Sequence, residues 1–109
     1  MPRRTYQVIC AESATKDLEE IVTYIAGDSR ASAERVLARL KNKAESLEAS
    51  PFRGRLVPEI LEFGLRNWRE IVVRPYRIIY RIDEGRVFVN AVIDGRRDLQ
   101  DLLARRLLR

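Results

Sequence analysis

The apolar residues of this chain change period once, and that change decides what the chain can become. From Ala14 to Leu47 they recur every third or fourth position, which marks a helix face; from Trp68 to Ile93 they recur at every second, which marks a strand face. Ala14, Leu18, Ile21, Val22 and Ile25 form one helical stripe, and Ala33, Val36, Leu37, Leu40, Ala44 and Leu47 form another. Ser13 stands at the N-cap of the first helix. Asp17, Glu19 and Glu20 follow in the early turns, where the helix dipole favours negative charge, and Gly27 supplies the stop. Asp28 or Ser29 caps the second helix, and Pro51 ends it. Only a few residues separate the stripes, so the helices return on each other as an antiparallel hairpin.

The remaining segments read as strands and loops. Tyr6, Val8 and Cys10 alternate with Gln7 and Ile9 as a short opening strand, with Cys10 as a small core residue. Pro51, Gly54, Pro58 and Gly64 make the stretch to Arg66 a loop crossing from helices to sheet. Trp68 to Arg74 is a strand with Ile71 and Val73 on one side. In the next strand Tyr76, Ile78, Tyr80 and Ile82 alternate with Arg77, Ile79 and Arg81, giving one apolar and one basic face. Asp83-Glu84-Gly85-Arg86 is a hairpin turn, Val87 to Ile93 a third, mostly buried strand, and Leu99, Leu102, Leu103 and Leu107 mark a short C-terminal helix. The result is a single α+β domain spanning 1–109: an N-terminal strand, an antiparallel helical hairpin packed on one face of a mainly antiparallel β-sheet, and a short C-terminal helix. The other sheet face is expected to be open and to carry Arg77 and Arg81, with Arg96 and Arg97 brought to its rim by the loop after the last strand.

Charge distinguishes the two halves. Up to Ser50, 8 basic residues balance 8 acidic ones; from Pro51 onward there are 13 arginines, no lysine and 8 acids. Arginine offers a planar, permanently charged fork of five donors, suited to phosphate, bases or carboxylates, so the C-terminal half is where a partner is expected. The basic half fits the footprint of a nucleic-acid-binding domain, but the net charge is only +5 and no helix-turn-helix, RNA-recognition or zinc-finger pattern accompanies it. There is no Cys/His cluster for a metal and no glycine-rich phosphate loop, so no cofactor is expected. The single cysteine fits a reducing compartment. No apolar run reaches signal-peptide or membrane-span length, so the expected location is the cytoplasm.

Three runs together carry a family resemblance. Trp68-Arg69-Glu70-Ile71-Val72-Val73, Pro75-Tyr76-Arg77-Ile78-Ile79-Tyr80-Arg81, and Val87 to Ile93 followed by Gly95-Arg96-Arg97-Asp98-Leu99 resemble the C-terminal signature of the RelE/ParE superfamily of type II toxins. Ser50 to Glu59 and the Asp17-Leu18-Glu19-Glu20-Ile21 helix extend the likeness over nearly the whole chain. The resemblance implies a small bacterial toxin neutralised by a co-expressed antitoxin that wraps an extended segment around it.

Within the superfamily, the resemblance implies one of two targets. RelE-like members are ribosome-dependent endoribonucleases; ParE-like members poison DNA gyrase with no catalytic role of their own. RNA cleavage needs acid–base groups that titrate near neutrality, and this chain has no histidine, no lysine in its sheet half and no aromatic residue from Leu99 to Arg109 to match the RelE-like terminal tyrosine. Arginine, with a pKa above about 12, is a poor proton shuttle. Were the chain a ribonuclease, Arg69, Arg77 and Arg97 would map to the catalytic positions. The long helical hairpin and the Pro51 to Glu59 loop resemble ParE-like members instead, which implies gyrase inhibition, with Arg77, Arg81, Arg96 and Arg97 as target-binding residues. Leu102, Leu103, Arg105 and Arg106 are then candidate antitoxin contacts.

Overall fold

The computed structural model describes residues 5–97 together with Gln100, Leu102, Arg105 and Arg106. Strand β1 (Gln7–Cys10) leads into helices α1 (Glu12–Ala26) and α2 (Arg30–Glu45). After two short 3-10 turns come β2 (Arg55–Leu56) and α3 (Pro58–Leu61), then the long strands β3 (Trp68–Val73), β4 (Tyr76–Asp83) and β5 (Arg86–Asp94). The five-stranded sheet has the order β1-β5-β4-β3-β2. Only β1 runs parallel to its neighbour; the other pairings are antiparallel. This is the α+β architecture that the two hydrophobic periods predict.

The helical hairpin forms as expected, but with different punctuation. Ser29 caps α2, its hydroxyl accepting from the Ser32 amide at 3.1 Å. The first helix begins one residue before Ser13, behind Ala11, and the Ser13 hydroxyl donates to the Asn90 carbonyl at 2.7 Å. Gly27 does not stop α1 through a left-handed turn, because its φ of −58° is right-handed. The turn is closed by the Asp28 and Ser29 amides, both donating to Ile25 O, after which Ser29 swings into extended backbone.

Two cores sandwich the sheet. On the helical side Ala14, Leu40 and Leu47 pack against Ile71, Val73, Ile78, Tyr80, Val87, Val89 and Val92. Each fully buried aliphatic side chain here contributes about 1.5–3 kcal/mol. Alternation then sends Arg77, Ile79 and Arg81 to the other face, as the sequence predicts. That face is not open, however. The segment expected to be a loop folds into β2 and α3, and Val57 and Ile60 close a second core over Ile79, Ala91 and Ile93, with Trp68 and Leu102 at its margin. Cys10 also departs from expectation: it is exposed at the end of the edge strand β1, where the Thr15 hydroxyl of α1 donates to its Sγ at 3.6 Å.

A tight turn and a bulge shape the β4–β5 pair. Glu84 and Gly85 have φ of 45° and 79°, the paired left-handed conformation of a tight two-residue hairpin between Asp83 and Arg86. Midway, a bulge between Ile79 and Tyr80 leaves Asn90 without a cross-strand partner. Its carbonyl is taken instead by Ser13 and by Arg106 Nη2 at 2.8 Å, tying α1 and the C-terminal segment to the sheet.

Candidate functional site

Gly95 donates its amide to Pro75 O at 2.8 Å, so the chain leaving β5 turns against the β3–β4 hairpin and carries Arg96 and Arg97 to that end of the sheet. A groove of about 680 Å³ opens there between α1, the end of β5 and the C-terminal segment. Asp17, Tyr24, Tyr76, Asp94, Arg96 and Arg97 all line it, together with Leu102 and Arg106.

Its electrostatics are set by short contacts. The Asp94 carboxylate accepts from the Arg96 amide and Nε at 2.9 Å and from Nη2 at 2.5 Å, a bidentate clasp. These bonds hold the Asp94 carboxyl down at about 2. Partial burial, reinforced by the same charge, pushes the Tyr76 phenol up. Arg96 nonetheless keeps 76% of its side chain in solvent, and Arg97 is exposed. Among the described residues no side chain pairs with the Arg97 guanidinium, leaving it available for an anionic or carboxylate partner. Tyr24, 83% exposed, adds an aromatic edge to the rim.

Arg77 reaches the same end of the sheet, but its guanidinium turns inward. Nη1 and Nη2 donate to the two oxygens of Glu59 at 2.8 and 2.9 Å, and Nε donates to Glu70 Oε1. Glu70 has no exposed side-chain area, and its second oxygen accepts from Arg55 Nε at 2.6 Å. Arg55, Glu70, Arg77 and Glu59 therefore form an alternating ion chain that clamps α3 to β3 and β4. With 12% of its side chain exposed and its donors committed, Arg77 is placed as a fold residue rather than a free surface cation. Its pKa is raised, chiefly by the Glu59 bonds, and that of Glu59 is lowered by the same bonds.

The other arginines singled out in the sequence are dispersed. Arg81 lies at the far end of β4, four residues and about 13 Å from Arg77, with its guanidinium carbon 4.5 Å above the Phe88 ring. Arg69 lies on the opposite sheet face from Arg77, donating to Gly54 O at 2.7 Å and packing over Phe52. The trio Arg69, Arg77 and Arg97 is thus not gathered on one face. Arg106 bonds Asp17 at 2.9 Å, and Asp17 in turn accepts from the Val92 amide at 2.9 Å. Leu102 packs on the second core, Arg105 is exposed, and Leu103 lies outside the described residues, as do Leu99, Leu107 and Arg109.

Sequence reasoning missed Tyr24, Tyr76 and Asp17 as groove residues. Tyr24 had a signal: it is an aromatic residue off the apolar stripe of α1. Asp17 had none, because its partners Val92 and Arg106 lie 75 and 89 residues away.

Comparisons with known proteins agree with this arrangement. The family model described as ParE toxin of type II toxin-antitoxin system, parDE, matches residues 8–99. Toxin RelE2 of Caulobacter vibrioides is 39% identical over 84 residues, covering 76% of this chain and 88% of the relative. A chromosomal ParDE toxin-antitoxin structure from P. aeruginosa superposes with a TM-score of 0.68 at 13% identity, covering 84% of this chain and 97% of that one. A chain of the RelBE2 toxin-antitoxin complex of Mycobacterium tuberculosis gives 0.63 at 23% identity, over 85% of this chain and 94% of that one. A free double mutant of E. coli toxin RelE gives 0.63 at 20% identity, over 94% of this chain and 98% of that one. With the family model spanning most of its length, the chain belongs to the ParE toxin family of type II toxin-antitoxin systems, within the RelE/ParE superfamily.

Proposed function

We propose that this toxin arrests growth by poisoning DNA gyrase, engaging it through Arg96 and Arg97, and that a cognate antitoxin neutralises it in the cytoplasm by covering the same groove. The observation that carries the reading is the chemistry of the groove around these arginines. Three groups there have displaced pKa values: Arg96, raised, stays charged, while the Asp94 carboxyl moves down to about 2 and the Tyr76 phenol moves up. Neither Asp94 nor Tyr76 is poised near pH 7 for the proton exchange with a ribose hydroxyl or a leaving oxygen that RNA cleavage requires. Permanently charged arginines beside an exposed tyrosine instead suit recognition of a partner surface, where Arg and Tyr carry a large share of binding energy. Leu102 and Arg106 line the same groove, which supports a role for the C-terminal segment in antitoxin contact, with Arg105 and Leu103 proposed as further contacts from the sequence.

A ribosome-dependent endoribonuclease is the second reading, favoured by the RelE name of the 39% identical relative. The two are separated by inducing the toxin in bacterial cells and following plasmid topology and messenger RNA together. Gyrase-linked DNA breaks appearing before any change in messenger integrity are expected. Codon-linked messenger cuts with unaltered plasmid supercoiling would overturn the gyrase reading.

A further inference from the structure

The turn that follows β5 is held by Asp94 twice, through its side chain and through its main chain. The amides of Gly95, Arg96 and Arg97 each have an acceptor: Pro75 O at 2.8 Å, Asp94 Oδ1 at 2.9 Å and Asp94 O at 3.1 Å. Asp94 supplies two of the three, its carboxylate closing an Asx-turn. Gly95 forms the base. A Cβ there would lie 3.1 Å from Pro75 O and 3.3 Å from Arg77 Cδ, so the turn rests on the stem of an arginine that Glu59 and Glu70 already hold. The same carboxylate accepts from Nε and Nη2 of Arg96 at 2.9 and 2.5 Å. Among the described residues Arg96 Nη1 has no partner, and 76% of the side chain stays in solvent. The guanidinium fork is therefore fixed along one edge and open along the other.

We propose that Asp94 is a positioning residue for target binding: acting through Arg96, it fixes the turn and presents the free edge of the Arg96 fork together with Arg97. The inference rests on the reading that these two arginines engage the target. On charge alone Asp94 is adverse, because a carboxylate inside the site repels the anionic surface that two arginines select. Its geometry argues the other way. An arginine that docks from a free state loses rotamer freedom, which weakens binding by a factor of about 2 to 12 for each side chain immobilised. In Arg96 the clasp has already taken that freedom. The Arg96 bonds keep the Asp94 carboxyl at about 2, so the clasp is ionic throughout the neutral range. The two effects differ in sign and in salt dependence. Repulsion is screened beyond a Debye length of about 10 Å at 0.1 M salt, whereas the ordering of a side chain is not.

The test follows inhibition of gyrase supercoiling, at low and at high salt, by wild type and by Asp94→Asn, Asp94→Ala, Arg96→Ala, Asp94→Asn/Arg96→Ala and Arg97→Ala, each verified as folded by circular dichroism. Asparagine keeps an Oδ1 acceptor for the Arg96 amide and loses the ionic clasp; alanine loses both. Asp94→Asn is expected to lower potency about threefold and Asp94→Ala about tenfold, with the larger loss at high salt, where relief of repulsion no longer compensates. In the Arg96→Ala background Asp94→Asn should lose nothing further. A readout that does not involve the target is the heteronuclear NOE of the Arg96 Nε–H, expected to report a rigid group in wild type and a mobile one in Asp94→Asn. Unchanged or raised potency of Asp94→Asn, alongside a loss in Arg97→Ala, would overturn the positioning role, as would a mobile Arg96 Nε–H in wild type. Gyrase indifferent to wild type, or inhibited equally by wild type and Arg97→Ala, would overturn the target reading and this assignment with it, a failure told apart by an NOE pattern that still follows the clasp.

Discussion

Arg77 shows how far a residue's role depends on what the fold places beside it. From the sequence it is one of several strand arginines on a basic face. In the structure Glu59 and Glu70 occupy its donors, and Glu70 has no exposed side-chain area. A buried ion pair gives little net stability over an apolar pair, but removing one partner leaves an uncompensated buried charge. Arg77→Met is therefore expected to cost about 3–5 kcal/mol in urea unfolding, and Arg77→Glu, which adds a third carboxylate to the cluster, more. Neither variant is a clean test of target binding, in contrast to the expectation drawn from an open basic face. Glu59 supplies a linked pH dependence. Its folded-state pKa lies below the ordinary 4.5, so its stabilisation is complete above that value and is lost as pH falls through the folded pKa. Unfolding free energy should decline from about pH 4.5 downward, and Glu59→Gln should make that decline shallower. An unchanged acid limb in the variant would remove Glu59 from the account.

At the scale of elements, the β4–β5 hairpin and the bracing of the bulged sheet carry the local design. Glu84 holds a left-handed φ of 45° in a turn that prefers Asn or Asp at that position. Glu84→Asn should raise stability by about 0.5–1 kcal/mol with no change of register, since left-handed backbone disfavours a long side chain by about 1–2 kcal/mol and Asn less. The buried Tyr80 hydroxyl joins β4 to the segment before β2, donating to Pro51 O at 2.7 Å and accepting from the Gly54 amide at 3.1 Å. Tyr80→Phe leaves both groups unpartnered and should cost about 1–3 kcal/mol, read as a lower urea midpoint at unchanged slope. Gly54 has no alternative there, because a Cβ would sit 2.5 Å from both Glu70 O and the Tyr80 hydroxyl. The sequence shows these long elements clearly. Strong alternation marks β3, β4 and β5 to within about a residue of their ends, and the helical stripes locate α1 and α2. It does not show α3 and β2, whose few residues have no measurable period, nor that β1 pairs parallel to β5. Those features are fixed by contacts across the chain, such as Arg55 with Glu70 and Tyr6 N with Glu48 O, and local pattern does not encode them.

Over the whole molecule, the arginine-rich half divides its charges between structure and surface. Arg55, Arg77 and Arg106 are bound to Glu59, Glu70 or Asp17, and Arg81 and Arg69 stack on phenylalanines. Arg96 and Arg97 remain presented at one sheet end beside Tyr24 and Tyr76, and Arg39, Lys43 and Arg74 line a separate edge. The excess of arginine was legible from composition; which arginines stay exposed was not, because that depends on carboxylates that are distant in sequence. Among the described residues no helix is long and apolar enough to cross a membrane. The most direct test of the proposed activity is a titration of purified wild-type and Arg97→Glu protein into a DNA gyrase supercoiling reaction, with translating ribosomes assayed in parallel. The account predicts that wild type blocks supercoiling or traps cleaved DNA, that Arg97→Glu loses at least tenfold in potency while retaining wild-type unfolding behaviour, and that messenger RNA on the ribosomes stays intact. Messenger cleavage by wild type with gyrase unaffected would contradict it.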